Sequence, residues 1–296
     1  MVSERDVVLT IGVFDGVHLG HRHLVRQVVR RAQELRCLSG IITLHPHPQA
    51  VLAGNGPLYL LTLVERLALL RELGLDVVAA LPFTLDLARL SALEFMSLVR
   101  QHLRLRELWV GWDFALGYRR EGAVTRLTEI GQGMGYRVHV VPPLVLNGQT
   151  VSSTLIRNLV RQGQVETAAR LLGRWHHVSG TVVPGDRRGR HLGLPTANVA
   201  LAAGLILPAN GVYAAYYARL GGRQWPTRAY VGPGFAGTGR QLQVHIPDLG
   251  DDLYGHCLRV EFVRCLRSDV RCASAPALTE QMEKDLAQVR QALSPV

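Results

Sequence analysis

Lysine is nearly missing from this chain: of its 33 Lys and Arg residues, all except Lys284 are arginine. No G-x-x-x-x-G-K-[ST] run exists, and Gly12-Val13-Phe14-Asp15-Gly16 does not have the G-x-G-x-x-G spacing, so neither of the two common phosphate loops is present. Cysteine is scarce as well. Cys37, Cys257, Cys265 and Cys272 form no C-x-x-C pair and have no histidine at zinc-finger spacing, which argues against a zinc-ribbon or dithiol redox centre. No apolar run reaches the length of a membrane span, because Asp, Arg or Glu interrupts each candidate, and Met1 to Arg5 is not a signal peptide. The expected location is the cytoplasm, with no membrane partner.

What is there fits two folded domains. The chain has 296 residues, 48% of them hydrophobic, with a mean hydropathy of +0.12, enough for each domain to bury its own core. A net charge of +10 and a pI near 10.1 would attract polyanions. However, no cationic tail or block of consecutive basic residues stands out, and arginine replaces lysine along the whole chain. A dedicated nucleic-acid role is therefore not expected. The chain is expected as a monomer or weak homo-oligomer acting on small molecules.

The most informative stretch is Val8 to His21, V-L-T-I-G-V-F-D-G-V-H-L-G-H. Val8, Leu9 and Ile11 read as a buried strand, Asp15 and Gly16 as a turn, and Leu24, Val25, Val28 and Val29 as the apolar face of a helix. Gly16 and Gly20 allow close backbone approach, the helix N-terminus offers N–H groups, and His18 and His21 add imidazoles. Such a junction at the carboxyl end of a parallel strand suits a polyphosphate.

Further strands are expected over Ile41–Leu44, Val77–Leu81, Glu107–Gly111 and Arg137–Val141. They alternate with helices over Leu61–Leu73, Ser91–Leu103 and Val124–Gly133, which argues for a doubly wound parallel sheet. Thr62 and Ser91 are expected helix caps, the latter in a capping box with Glu94. His45-Pro46-His47-Pro48 ends the second strand and places imidazoles at its carboxyl edge. Val151-Ser152-Ser153-Thr154-Leu155-Ile156-Arg157 then opens another helix, with hydroxyls and a guanidinium suited to phosphate oxygens; the alternative is a helix cap with a solvated arginine. From Trp175 onward, short strands punctuated by Gly, Pro and Asp suggest a small closed antiparallel barrel, with Ala277–Leu293 as a terminal helix. The expected domains are residues 1–174 and 175–296.

G-V-F-D-G-V-H-L-G-H carries the F-D-x-x-H-x-G-H signature of the nucleotidyltransferase superfamily. Together with H-P-H-P, L-T-L-V-E-R, V-G-W-D-F-A-L-G, S-S-T-L-I-R and L-L-G-R-W-H-H-V-S-G-T-V-V-P-G, in this order, it resembles the prokaryotic bifunctional riboflavin kinase/FMN adenylyltransferase family over nearly the whole chain. The resemblance implies a nucleotidyltransferase domain followed by a flavokinase-like barrel, with ATP, Mg²⁺, riboflavin, FMN and FAD as cofactor, substrates or products. It implies catalytic roles for His18, His21 and Arg157. Nucleotide or phosphate contacts are implied at Gly12, Phe14, Asp15, Gly16, Gly20, Ser152, Ser153 and Thr154, and at Gly185, Gly189 and Gly193 in a glycine-rich flap. Asp113 and Phe114 are expected near nucleotide or flavin. Thr196 and Asn198, in P-T-A-N, are expected to share Mg²⁺ with ATP oxygens.

The chain departs from the family it resembles around one pocket. Gln243 stands where the family carries the acid presumed to deprotonate riboflavin, and an amide cannot serve as that base. The preceding segment is altered too, to Val231-Gly232-Pro233-Gly234-Phe235. The expectation is an intact adenylyltransferase with a flavokinase that is weakened or uses another acid, such as Asp248 or Glu261; full bifunctionality is the alternative. Outside that class stand a non-catalytic flavin- or nucleotide-binding regulatory protein and an arginine-rich RNA-binding protein of the same fold.

Overall fold

Strand β1 (Asp6–Gly12) is buried from Val7 through Ile11, on both faces, as a central parallel strand must be. Val7, Leu9 and Ile11 join a core with Phe95, Met96 and Leu127, whereas Val8 packs with Val28 and Ala32 on the other side. That alternation puts helices on both faces of the sheet. The computed structural model describes residues 5–184, 195–219, 222–233, 239–246, 253–270 and 274–294.

By its internal contacts the chain divides into Met1–Pro57 with Thr62–Ser152, and Leu58–Leu61 with Ser153–Val296. In the first unit β1 is followed by α1 (Leu19–Leu35), β2 (Leu38–His45), α2 (Pro48–Ala53), α3 (Leu63–Arg71) and β3 (Val77–Pro82). Then come α4 (Leu85–Arg89), α5 (Ala92–His102), β4 (Arg104–Gly111), the hairpin β5 (Ala115–Leu116) and β6 (Gly122–Ala123), α6 (Val124–Met134), β7 (Arg137–Val141), and a second hairpin, β8 (Val145–Leu146) and β9 (Gln149–Thr150). Thr62 and Ser91 each close a full capping box, with Glu65 and Glu94. The sheet order is β3-β2-β1-β4-β7, with every pairing parallel. The strand order reverses at β1, so the crevice beyond its carboxyl end, between β1 and β4, is the topological switch point where open α/β sheets bind ligands. The doubly wound expectation holds.

The second unit runs α7 (Ser153–Arg161), α8 (Val165–Leu172), β10 (His176–Val183), β11 (Thr196–Leu201), β12 (Gly211–Arg219), β13 (Trp225–Pro233), β14 (Arg240–His245), β15 (Cys257–Ser268) and α9 (Ala275–Leu293). Its six strands close into a barrel in the order β10-β11-β14-β13-β12-β15, with all pairings antiparallel. Val182, Val199, Leu242, Val244, Val260 and Phe262 fill its core. Strand β11 was not foreseen: Thr196 to Leu201 reads in sequence as the exit of a glycine-rich loop and a proline turn.

Helix α9 lies on β12, β13 and β15, and a carboxylate fixes it there. Asp285, fully buried, accepts from Arg228 Nε (2.9 Å), Arg267 Nε (2.8 Å), Arg267 Nη2 (2.9 Å) and Gln281 Nε2 (3.0 Å). Burial pushes this carboxyl's pKa up, but the bonds from Arg267, Gln281 and Arg228 outweigh it and hold the pKa below the ordinary Asp range. Asp285→Ala would strand two arginine side chains at a buried position and should cost about 3–5 kcal/mol in denaturant unfolding of the chain. Because the folded pKa is depressed, the wild-type contribution is fully present above the unfolded Asp pKa and is lost as pH falls through the folded one. The gap between wild type and Asp285→Ala should therefore narrow in acid.

Candidate functional site

The turn after β1 is built from backbone that side chains rarely adopt. Phe14 (φ 53°), Gly16 (φ 83°) and Val17 (φ 40°) all lie at positive φ, and for the β-branched, fully buried Val17 this is a true outlier. Such strain, of order 1–3 kcal/mol per residue, persists only where the surroundings dictate it. Here Val17 N–H donates to Phe14 O (3.2 Å), Arg22 Nε donates to Val17 O (3.3 Å), and Phe14 and Asp15 are buried. At Gly12 a Cβ would stand 3.0 Å from the Phe14 ring, so the glycine makes room for that phenyl group.

His18 is the N-cap of α1, and its Nδ1 accepts from His21 N–H at 3.3 Å. The cap thus occupies one of the helix-terminal N–H groups expected to face an anion. With Nδ1 accepting, the neutral ring carries its proton on Nε2. The His18 and His21 rings stack with centroids 3.6 Å apart at 18°, and Phe14 meets His21 edge-on at 5.1 Å. Gly20 is what admits this pair: a Cβ there would stand 3.1 Å from His18 Cε1 and Nδ1 and 3.3 Å from Val151 O. The structure thus brings Gly12, Phe14, Gly20, His18 and His21 into one cluster at the carboxyl edge of the sheet.

The neighbouring strand ends contribute to the same edge. At the end of β4, Asp113 is exposed and Phe114 is half-buried against the sheet core, with Phe114 N–H donating to Gly111 O (3.2 Å) and Arg120 Nη2 donating to Asp113 O (3.1 Å). At the end of β2, His47 serves as the N-cap of α2, its Nδ1 accepting from Gln49 N–H (3.2 Å). His45 Nδ1 lies 3.1 Å from Arg66 Nη2, and burial, then the charge of Arg66, lowers the His45 pKa although Asp15 opposes this. Arg66 is fully buried and was not singled out by sequence reasoning. It shares the buried face of α3 with Leu70, four residues on, but nothing in the spacing of L-V-E-R-L-A-L-L-R marks an arginine there as buried.

In the S-S-T-L-I-R run, Ser152 belongs to the first unit, and Ser153, Thr154 and Arg157 to the second. Arg157 is buried, with Nε donating to Leu58 O at 2.8 Å, so it is not the solvated arginine of the simple cap reading.

In the second unit, Thr196 and Asn198 alternate with the core residues Ala197 and Val199, so both face outward from β11. Asn198 is paired across the ladder with Gln243, and Gln243 with Tyr230 on its other side. A cavity of about 740 Å³ is lined in part by Val183, Asn198, Leu205, Leu207 and Arg240. Two neutral oxygens on one face suit a hard cation that takes its remaining ligands from phosphate and water, so Thr196 and Asn198 fit Mg²⁺. Glu261 does not fit the role of substitute base. It lies on β15, three strands from β14 either way around the barrel, and is paired with Arg259 at 2.9 Å. Gly185, Gly189, Gly193 and Asp248 lie outside the described residues.

A doubly wound sheet with a histidine pair at its switch point, joined to a closed six-stranded barrel, defines a nucleotide-binding α/β unit coupled to a flavokinase-type barrel. The FAD synthetase family matches residues 1–155 and the riboflavin kinase family residues 172–293. The bifunctional riboflavin kinase/FMN adenylyltransferase of Escherichia coli (strain K12) is 36% identical over 286 residues, covering 95% of this chain and 91% of that protein. The enzyme of the same name from Pseudomonas fluorescens is 36% identical over 297 residues, covering 99% and 95%. A solved Streptococcus pneumoniae structure described as a macrolide-efflux protein aligns with TM-score 0.88 and 29% identity, covering 97% of this chain and 95% of that one. Among the described residues of this chain, no helix is long and apolar enough to cross a membrane. The chain belongs to the bifunctional riboflavin kinase/FMN adenylyltransferase family.

Gly20→Ala should displace the His18 ring by a few tenths of an ångström, because its Cβ would stand 3.1 Å from Cε1 and Nδ1. Titration calorimetry with ATP is expected to show affinity weakened by about tenfold, equivalent to about 1.4 kcal/mol, while thermal unfolding stays near wild type.

Proposed function

We propose that this chain completes FAD synthesis by transferring AMP from ATP to FMN, and that its barrel phosphorylates riboflavin slowly. The observation that carries the reading is the stacked His18–His21 pair at the N-terminus of α1, at the switch point of the sheet. On this reading residues 1–174 serve adenylyl transfer and residues 175–296 the kinase, supported by the family matches at 1–155 and 172–293.

In the transfer step a phosphate oxygen of FMN attacks the α-phosphorus of ATP in line. The new P–O bond forms as the bond to the β-phosphate oxygen breaks, and pyrophosphate leaves. No covalent enzyme intermediate is needed, so the protein contributes alignment and charge stabilisation. His18, through Nε2–H, and His21 would donate to the oxygens on which charge develops. Gly12, Gly16 and Gly20 would let the nucleotide approach the backbone, beside Phe14 and Asp15. The S-S-T-L-I-R run, with Ser152, Ser153, Thr154 and Arg157, is assigned the β- and γ-phosphates by family resemblance, and Asp113 and Phe114 the nucleotide or flavin. Mg²⁺, when bound through Thr196 and Asn198, would neutralise phosphate charge in the kinase half. The chemistry supports turnover over a binding-only or RNA-binding role, because the histidine pair and both family domains are retained.

Chromatography of flavins after incubation with ATP, Mg²⁺ and FMN should show FAD, with pyrophosphate released; no FAD from the folded protein under any metal condition would defeat the reading. His21→Ala should lower kcat about 10²–10³-fold with little change in FMN binding, as for loss of a transition-state donor.

For the kinase half, general-base assistance is worth about 10²–10⁴-fold, while phosphoryl transfer rests mainly on positioning. Riboflavin should therefore be phosphorylated slowly. Gln243→Glu, next to Asn198 on β14, should raise that kcat about 10²-fold or more. Brisk phosphorylation by the unmodified chain would show that another group is the base. Little recovery would place the defect elsewhere in the pocket.

A further inference from the structure

Among the described residues, Arg66 heads the largest fully buried side chains, yet nothing in the reaction described above uses it. Burying a guanidinium is expensive unless its donors are met, so where they go is informative. They go to the carboxyl ends of two adjacent strands. Nη1 donates to Val13 O, to Thr43 Oγ1 (3.3 Å) and to Leu44 O (3.3 Å), and Nη2 lies 3.1 Å from His45 Nδ1. Thr43, itself fully buried, donates its hydroxyl to the same Val13 carbonyl at 2.8 Å. Val13 is the last residue before Phe14, where the positive-φ turn begins. Helix α3, held at its start by the Thr62–Glu65 capping box, fixes the arginine from behind.

We infer that Arg66 is a positioning residue for adenylyl transfer: its buried guanidinium anchors the turn Val13–Val17, and through it the His18 cap, against the end of β2. The inference rests on the proposed adenylyltransferase reading. A planar fork that meets several carbonyl and imidazole acceptors at once is something an ammonium cannot copy, so lysine should replace it only in part. Misplacing the turn would loosen the histidine pair, whose contacts matter most in the transition state. The loss should therefore appear in kcat and not in KM.

The test follows FAD formation by the full-length wild type, R66M, R66K and T43V, with riboflavin phosphorylation and thermal unfolding measured on the same preparations. R66M should lose about 10²-fold in kcat, the effect of roughly an ångström of misplacement, with both KM values within about threefold of wild type. R66K should recover part of the loss, and T43V, which removes only the shared hydroxyl, should lose about tenfold. Wild-type kcat in folded R66M would overturn the inference. So would a loss that vanishes once corrected for the folded fraction, with riboflavin phosphorylation falling in parallel. If R66M does not fold, T43V decides by the same criteria. Absence of FAD with the wild-type chain would defeat the underlying reading and this inference with it, whereas wild-type activity unchanged in R66M and T43V defeats the inference alone.

Discussion

Everything at the carboxyl edge of the first unit's sheet depends on one constraint: the chain leaves strand β1 at Gly12 and must be helical by Leu19. In that short span it has to turn, place two histidines, and keep its backbone polar groups partnered in a buried setting. Ordinary φ/ψ values do not allow this, so Phe14, Gly16 and Val17 take left-handed backbone. The cost is met by neighbours, namely the Arg66 guanidinium and Thr43 hydroxyl on Val13 O and the Arg22 side chain on Val17 O. The His18 ring then lies close over Gly20, where a Cβ would stand 3.1 Å from it.

The preference for arginine, which in sequence reads only as a habit of composition, has structural uses. Arg31 reaches both carboxylate oxygens of the buried Glu107. Arg240 donates to Asn210 Oδ1, Leu207 O and Pro208 O, tying β14 to the loop before β12. Arg228 and Arg267 supply three of the four hydrogen bonds to Asp285. Each arrangement exploits a planar fork with several fixed donors, which a compact ammonium would not satisfy. Arginine therefore serves as a multi-point tie within the fold as well as a source of positive charge.

Legibility in the sequence tracked how local each signal was. The parallel strands, the helix cap at Thr62, the capping box at Ser91 and most barrel strands are readable because alternation and N-cap chemistry are set within a few residues. The H-P-H-P run misled in part. Prolines end β2 as expected, but Pro48 at the first helical position also starts α2, with His47 as its cap, so one histidine is structural. Strand β11 was hidden because its partners, Val183 and Gln243, are remote in sequence and its own residues carry a weak alternating pattern. The His18–His21 stack and the burial of Arg66 were illegible for another reason: each depends on side-chain contacts that no spacing rule reports. The suggestion of Glu261 as an alternative base failed on barrel geometry, which no linear reading gives.

The two halves are asymmetric in what a single side chain can cost them. In the first unit the proposed chemistry has no proton to remove from its nucleophile, since a phosphate oxygen is already ionised, so alignment alone must do most of the catalysis. There the strained turn and its buried support cannot be relaxed without penalty. In the barrel the nucleophile on the proposed reading is a hydroxyl, and a base has a definite task. Yet Gln243 has the size and hydrogen-bonding reach of the acid that the family resemblance implies there, and sits in an outward-facing row with Asn198 and Tyr230 on adjacent strands. On the proposed reading the amide lacks a proton acceptor, while the barrel packing and Asn198 beside it are left in place. On that reading, an amide at this position slows the kinase reaction without disturbing the barrel that houses it, and leaves the first unit untouched.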